Sequence, residues 1–326
     1  MIRIGRTAAA WLAVVVLYAV SSLVSPAMFQ VDQVLNILQV AAFLGVIATG
    51  QTLVLLAGGI DLSQAGVVTL TNIVATAVMG GEPANIAPAV LVCLGLCAAI
   101  GLVNGALVTV LRITPLIATL GMNSILFGAA LVFTGGAPRG SAAPGFTFLG
   151  QGSIGQLPCS TLIWLAVALL TAWAARGTVA GRWLYAAGAN PEAAALMGVP
   201  VRTATVGAFV GSALMAGLGG LLLTGYIGAP SLGIGTQFMF TAIAAPVVGG
   251  TALTGGIGSV LGTIAGTLLV TELASFTNIV RVSSGTQQVL QGVIIALSVI
   301  LYGIASRPGG RPPRQQGRRK GWIAAH

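Results

Sequence analysis

The sequence predicts an all-α polytopic membrane protein with about ten transmembrane helices, some of them short or broken. Of its 326 residues, 56% are hydrophobic and only 6% are charged, whereas a soluble domain has about 25% charged residues. The mean hydropathy is +1.00, and so few charges cannot cover a surface that faces water. The composition therefore excludes a soluble enzyme, a disordered protein and a nucleic-acid-binding protein, although the net charge is +9.

The intervals between charged residues define the predicted spans, because a lipid-spanning helix needs about 20 apolar residues without a charge. The first six intervals, from Arg6 to Arg176, contain 20 to 36 residues each and have room for one span each. The 69-residue interval between Arg202 and Glu272 is divided into three by Gly/Pro-rich breaks. The ten predicted spans are residues 8–25, 34–57, 63–80, 86–108, 115–134, 159–175, 203–226, 237–249, 258–278 and 286–304.

One predicted span and the two ends of the chain differ from the rest. The span at 237–249 is short and contains Pro246, which predicts a broken or re-entrant helix packed inside the bundle. The first apolar run is longer than a signal-peptide core, which favours an uncleaved span. The chain is thus divided into a basic N-terminal segment with the first span (1–33), a core of transmembrane spans (34–304) and a disordered basic cytoplasmic tail (305–326).

The basic residues predict the orientation. With both termini in the cytoplasm, 12 of the 14 Lys and Arg residues lie inside, and only Arg139 and Arg281 lie outside. Cytoplasmic loops of membrane proteins carry this excess of positive charge. The prediction is a multi-pass membrane protein with cytoplasmic N- and C-termini, in contact with lipid and not with nucleic acid.

Several kinds of chemistry are absent from the sequence. The only Lys is Lys320, followed by Gly321, so the chain cannot form a Gly-Lys-Ser/Thr phosphate loop. The only His is His326, which leaves no basis for a zinc site or a His-dependent triad. Cys93 and Cys97 lie one helical turn apart in an apolar stretch and are interpreted as buried thiols. We expect no catalytic residue, metal or cofactor in this chain.

Polar residues inside the spans suggest a route for a solute, because ionisable and amide groups in lipid usually face the protein interior. Asp61 lies in the sequence Gly58–Ser63 between two apolar runs, where it either caps the next helix or lines the path. Glu272 either pairs with Arg281 or lines a vestibule. The candidate path residues are Asp61, Ser63, Asn72, Asn104, Asn123, Gln237 and Thr241.

Residues 181–200 carry helix-capping signals outside the predicted spans. Asn190 is a favourable N-cap, Pro191 suits the first helical position, and Gly198 suits the position after the helix, so a short helix is predicted over 191–197. Gly188 is expected to permit a tight approach to Asn190. A helix this short is unstable alone in water. It must pack either on its own bundle or on a cytoplasmic partner.

Several motifs in order resemble the permease subunits of bacterial sugar ABC importers, most of all the ribose-type permeases. The resemblance extends over about residues 36–304. The motifs are Gly58–Ser63, Asn104–Leu107 leading to Arg112–Gly121, Phe133–Gly136, Gly181–Gly198, and Ala242–Gly250 leading into Gly255-Gly256.

The resemblance implies a transmembrane subunit of the bacterial inner membrane that translocates a small neutral solute. The solute that it implies first is a monosaccharide, either a pentose or a hexose. It implies a second permease copy or paralogue, a periplasmic solute-binding protein, and a cytoplasmic ATPase subunit that carries ATP and Mg²⁺. The predicted short helix then belongs to a cytoplasmic segment that couples to the ATPase. The coupling residues carried over are Arg182, Tyr185, Gly188, Asn190, Pro191, Glu192, Ala193, Ala194 and Gly198.

Two alternatives stay open at this point. After Ile-Asp-Leu-Ser, sugar permeases commonly continue with Val-Gly-Ser, whereas this chain has Gln64-Ala65-Gly66. A branched-chain amino-acid ABC permease of the same superfamily is therefore one alternative. The other is a proton-coupled secondary transporter in which Asp61 or Glu272 relays the proton and no ATPase is needed.

Overall fold

The computed structural model describes residues 5–283 together with 285–287, 289 and 292–293. This part of the chain is almost entirely helical, with short 3₁₀ helices at Pro26–Phe29 and Pro83–Asn85. One small antiparallel hairpin is formed by β1 (Ser153–Ile154) and β2 (Leu157–Pro158). The α-helices are α1 Arg6–Val24, α2 Val31–Leu56, α3 Gln64–Met79, α4 Ile86–Thr109, α5 Pro115–Thr134, α6 Pro144–Gln151, α7 Cys159–Gly177, α8 Val179–Ala189, α9 Pro191–Leu196, α10 Val201–Ile227, α11 Phe238–Val248 and α12 Val260–Ile279.

The helices confirm the predicted all-α polytopic architecture. Seven helices within the described residues are long and apolar enough to cross a membrane, and α3 and α11 are shorter apolar helices. These nine helices coincide with the first nine predicted spans to within a few residues. The tenth predicted span (286–304) lies almost wholly outside the described residues, and the predicted tail (305–326) lies entirely outside them.

Three elements were not predicted from the charge pattern. Helix α6 and the hairpin occupy part of the long interval that was assigned a single span, and both are too short to give an apolar run. Helix α8 begins directly after α7, where the Thr178 side chain accepts a hydrogen bond from the Gly181 N–H at 3.2 Å. The predicted helix at 191–197 is therefore the second helix of a pair.

Burial separates the centre of the bundle from its periphery. Helix α2 is the most buried of the long apolar helices, with 78% of its apolar window inside the protein, whereas α1 is the least buried, at 17%. Helix α10 packs against α2, α3 and α4. Helices α4 and α5 expose many apolar side chains. In a lipid environment these outer helices face the acyl chains, while α2 and α10 form the core.

Helix α11 is the short helix that the sequence predicted. Its 11 residues end two positions after Pro246. At about 1.5 Å per residue it is about 16 Å long, roughly half the thickness of the hydrocarbon core. Residues 228–237 before it are irregular. Irregular backbone at membrane depth is tolerated only where protein or a polar cavity surrounds it, so the surroundings of α11 are of functional interest.

Candidate functional site

Asp61 lies in a buried hydrogen-bonded turn between α2 and α3. Its Oδ1 atom accepts hydrogen bonds from the Ser63 N–H at 2.9 Å and from the Ser63 hydroxyl at 2.6 Å. Its Oδ2 atom accepts from the Ser212 hydroxyl of α10 at 2.7 Å. Both oxygens therefore act only as acceptors, which is the bonding pattern of an ionised carboxylate. The side chain is 1% exposed and does not border open space in this conformation.

The two serine hydroxyls each receive a hydrogen bond from an amide side chain. Gln64 donates to the Ser212 Oγ atom at 2.8 Å, and Asn104 donates to the Ser63 Oγ atom at 2.9 Å. Each hydroxyl thus accepts from an amide and donates to the same carboxylate. Asp61, Ser63, Gln64, Asn104 and Ser212 form what we call the α3-entry cluster, and all five are at most 1% exposed. The cluster joins α3, α4 and α10.

Helix α5 caps the beginning of α3. The Leu62 N–H donates to the Thr119 Oγ1 atom at 3.0 Å, and the Gly66 N–H donates to the Asn123 Oδ1 atom at 2.8 Å. Ser63 occupies the N-cap position without a side-chain capping bond. Asp61 accepts the Ser63 N–H, as the capping interpretation expected, and the other acceptors belong to α5. Free N–H groups at a helix start need acceptors, and here two of the acceptors come from a neighbouring helix.

Gln51 of α2 attaches the same turn to the centre of the bundle. With the amide orientation that satisfies both neighbours, its oxygen accepts from the Asp61 N–H at 3.2 Å and its nitrogen donates to the Asp61 carbonyl at 3.0 Å. The sequence analysis missed Gln51, Gln64, Thr119 and Ser212. Their only signal is a polar side chain within a charge-free apolar span, which does not reveal its partner.

Asn72 holds the irregular segment 228–237, which leads from α10 to α11. Its amide nitrogen donates to Thr224 Oγ1 at 3.0 Å and to the Ala229 carbonyl at 3.3 Å, while its oxygen accepts from the Ser231 N–H at 2.8 Å. In this conformation all of these contacts stabilise the chain that leads to α11. The assignment of Asn72 to the solute path stays a prediction.

Gln237 and Thr241 lie together at a cavity of about 270 Å³ between α2, α10, α11 and α12. The rings of Phe43 and Tyr226 also line it, with centroids 5.1 Å apart and planes inclined by 47°. The candidate path residues are therefore distributed over three places. Asp61, Ser63, Asn104 and Asn123 meet at the start of α3, Asn72 holds the segment before α11, and Gln237 and Thr241 line the cavity.

Glu272 is buried between α12 and α1. The Ser21 hydroxyl donates to its Oε1 atom at 3.3 Å, and the side chain is 2% exposed. Among the described residues it forms no ion pair with Arg281, and it does not line the cavity around Gln237. The sequence suggested either a pair with Arg281 or a place at a vestibule, and the contact between Glu272 and Ser21 is neither of these.

The caps of α9 agree with the sequence prediction. The Asn190 Oδ1 atom accepts a hydrogen bond from the Ala193 N–H at 3.0 Å. At the other end Gly198 has φ of +80°, and the N–H groups of Gly198 and Val199 donate to the carbonyls of Ala195 and Ala194, each at 3.0 Å. This pair of bonds is the Schellman arrangement that ends a helix. The observed helix, Pro191–Leu196, is one residue shorter than predicted.

The two faces of α9 have different surroundings. Ala194 is 6% exposed and packs within the chain, whereas Leu196 and Met197 are 89% and 84% exposed. The sequence left open whether α9 packs on its own bundle or on a cytoplasmic partner. Ala194 packs on the bundle, whereas Leu196 and Met197 remain exposed. Around the helix, Arg112, Glu192 and Arg202 border a groove of about 710 Å³. The other exposed coupling candidates are Arg182, Asn190, Pro191, Ala193 and Gly198.

Backbone contacts attach α8 to the turns at the ends of two bundle helices. A Cβ atom added at Gly188 would overlap the Leu56 carbonyl oxygen at the end of α2. The Gly256 N–H donates to that same oxygen at 3.0 Å, and the Tyr185 hydroxyl donates to the Gly258 carbonyl at 3.0 Å. We call these contacts the glycine junction. Gly188 therefore permits a close approach to α2 and to the turn before α12, and its expected role in an approach to Asn190 stays a prediction.

The fold and these contacts define a polytopic membrane protein with a buried polar cluster, a cavity among its central helices and a helix pair fixed at one end. Residues 33–299 match the family described as the permease component of branched-chain amino acid transport systems. The chain belongs to this family of transport permeases, and the resemblance predicted from the motifs is confirmed.

Curated relatives match most of the chain. It is 36% identical to the ribose import permease protein RbsC of Escherichia coli (strain K12), over 89% of this chain and 91% of that protein. It is 33% identical to the RbsC protein of Bacillus subtilis (strain 168), over 89% and 91%. It is also 33% identical to the xylose/arabinose import permease protein XylH of Sulfolobus acidocaldarius, over 85% and 79%. No solved structure is significantly similar to the chain.

Proposed function

We propose that this protein is the transmembrane subunit of a bacterial ABC importer for a monosaccharide. Similar permeases are named for ribose and for xylose or arabinose, which supports a pentose or hexose as the solute. The observation that carries the ABC assignment is the α8–α9 pair, which contacts the bundle through Gly188 and Tyr185 and presents Leu196 and Met197 outward. Such a pair is suited to dock a partner and to transmit its motion.

The importer requires partners that supply energy and solute. ATP and Mg²⁺ bind to a separate cytoplasmic ATPase, because this chain has no phosphate loop. A periplasmic solute-binding protein delivers the sugar, and a second permease copy or paralogue completes the pore. The excess of basic residues supports an orientation with both termini and the α8–α9 pair in the cytoplasm.

The residues of α9 have separate tasks in this mechanism. Asn190, Pro191 and Gly198 define where the helix begins and ends, and Ala194 seats it on the permease. Leu196 and Met197 then contact the ATPase. Arg112 and Arg202 at the bordering groove suit a partner surface with carboxylates. When the ATPase moves, the glycine junction passes the displacement to the turns that follow α2 and precede α12.

The two alternative functions fit the structure less well. A proton relay through Asp61 needs a carboxyl group that exchanges protons with a water-accessible path. Asp61 is instead closed in by three hydrogen-bond donors and is 1% exposed. A branched-chain amino acid as the solute would agree with the family description. The similar permeases quoted above, however, are named as sugar importers.

Substitution of Leu196 by Asp tests the docking assignment. The side chain is 89% exposed, so Leu196→Asp should leave expression and membrane insertion near the wild-type level, within about 0.5 kcal/mol of stability. A carboxylate in an apolar contact should reduce co-purification of the ATPase at least tenfold. The measurement is the ratio of ATPase to permease after affinity purification from co-expressing cells.

The matched control is Leu157→Asp in the β1–β2 hairpin, which lies on the opposite side of the membrane in the proposed orientation. Leu157 is 42% exposed, and its substitution should leave the ATPase ratio unchanged. Wild-type recovery of the ATPase with Leu196→Asp would show that α9 is not the docking element.

A further inference from the structure

The cavity around Gln237 lies between the middle of the bundle and the end opposite the α8–α9 pair. It is lined by Val40 and Phe43 from the first half of α2 and by Tyr226 at the end of α10. The Tyr226 carbonyl accepts a hydrogen bond from Gln151 of α6, which belongs to the connection between α5 and α7. In the proposed orientation this end of the bundle is periplasmic, so the cavity faces the side from which the solute arrives.

The α3-entry cluster lies deeper in the bundle than the cavity. Along α2, Leu44 borders the cavity and Gln51 holds the Asp61 turn. Their seven-residue separation corresponds to about 10 Å along the helix axis. The polar turn therefore lies about one and a half helical turns nearer than the cavity to the α8–α9 end of the bundle.

The walls of the cavity combine aromatic faces with neutral polar groups. Phe43 and Tyr226 provide two inclined rings, and Gln237 and Thr241 stand at the first turn of α11. The Thr241 hydroxyl donates to the Gln237 carbonyl at 2.7 Å, which leaves its oxygen free to accept. The volume of about 270 Å³ is near the lower limit of ligand pockets, roughly 300 Å³, and therefore suits a small solute.

Charge distinguishes the possible occupants. None of the residues described as lining the cavity is charged, and the sequence from 282 to 306, which contains the tenth predicted span, has no Asp, Glu, Lys or Arg. An amino acid would bring an ammonium and a carboxylate into a site without counter-charges, and unpaired buried charges are costly. A monosaccharide needs only hydroxyl partners and apolar faces for its C–H groups.

We infer that this cavity is the site at which the permease receives a monosaccharide, with Gln237 and Thr241 hydrogen-bonding its hydroxyl groups and Phe43 and Tyr226 packing on its C–H faces. This inference rests on the proposed function and adds the place and chemistry of solute contact.

The test uses the complete importer, with ATPase and solute-binding protein, in proteoliposomes. Uptake of labelled D-ribose, D-xylose, D-galactose and L-leucine is compared for wild type, Thr241→Trp and Gln237→Ala. Thr241→Trp should fill the cavity and reduce sugar uptake at least tenfold, while ATPase co-purification and hydrolysis stimulated by the loaded binding protein stay within twofold. Gln237→Ala should change the ratio of uptake rates among the sugars at least threefold.

The control is Phe240→Trp, on the same helix but outside the cavity lining, where the side chain is 63% exposed. It should transport at the wild-type rate. Wild-type uptake by Thr241→Trp would overturn the inference and indicate that lipid or a partner subunit covers the cavity. If the Thr241→Trp protein does not insert into the membrane, the Gln237→Ala result decides. Unchanged ratios of uptake rates among the sugars would then overturn the inference. Leucine uptake without sugar uptake by the wild type would instead contradict the proposed function itself.

Discussion

Replacement of Gly188 by Ala is expected to reduce solute uptake at least tenfold while the ATPase remains bound. The added Cβ atom would overlap the backbone carbonyl of Leu56 and crowd the Gly256 N–H. Backbone atoms cannot move aside as the end of a side chain can, so α8 must shift away from α2. Over-packing of this kind typically costs about 1–3 kcal/mol. The displaced helix would still present Leu196 but would no longer move the turns at the glycine junction.

The Gly188→Ala measurement compares ATP hydrolysis and solute uptake in the same proteoliposomes. Gly207→Ala on α10 is the matched control, because no atom lies within 4 Å of an added Cβ atom there. The control should transport normally. Efficient uptake by Gly188→Ala would mean that the junction tolerates displacement and does not transmit the motion of the ATPase.

Replacement of Asp61 by Ala should destabilise the protein severely. It would leave the Ser63 N–H and the hydroxyls of Ser63 and Ser212 without their shared acceptor. A buried polar group without a partner costs about 1–3 kcal/mol, and total stability is typically about 5–15 kcal/mol. We expect a steep fall in the yield of monodisperse protein and a lower thermal transition in detergent.

The Asp61→Asn variant separates the structural role from a proton relay. An Asn oxygen can accept from Ser63, and its amide can donate to Ser212 after that hydroxyl rotates. Asn should therefore recover most of the stability and a substantial part of the uptake. A proton relay requires a carboxyl group, so complete loss of uptake in a stable Asp61→Asn protein would favour that alternative. An Asp61→Ala protein as stable as wild type would show that the α3-entry cluster contributes little.

The sequence predicted the helices in lipid better than the contacts between them. Charges are costly in the bilayer, so the intervals between them locate nine helices from α1 to α12 closely. Helix α8 has only 11 residues and carries Arg182, so it gives no such long charge-free apolar run. Caps depend on residues three or four positions apart, which explains why Asn190 and Gly198 were interpreted correctly.

The contacts that assemble the site come from residues distant in sequence. Asp61 was expected to cap α3, and it accepts the Ser63 N–H. The other acceptors at this helix start are Thr119 and Asn123, more than 50 residues further along the chain. Similarly, Gly188 meets the carbonyl of Leu56 and the turn at Gly256. A single sequence shows which residues are polar or small, but tertiary packing determines which of them meet.

ATP dependence of transport tests the central claim most directly. The permease is reconstituted alone and together with its ATPase and solute-binding protein, and uptake of labelled D-ribose and D-xylose is measured with ATP, without ATP and with a proton uncoupler. We expect uptake of at least one of these sugars only when all subunits and ATP are present, with no effect of the uncoupler. Sugar uptake by the permease alone, driven by a proton gradient and abolished by the uncoupler, would contradict the assignment as an ABC importer subunit.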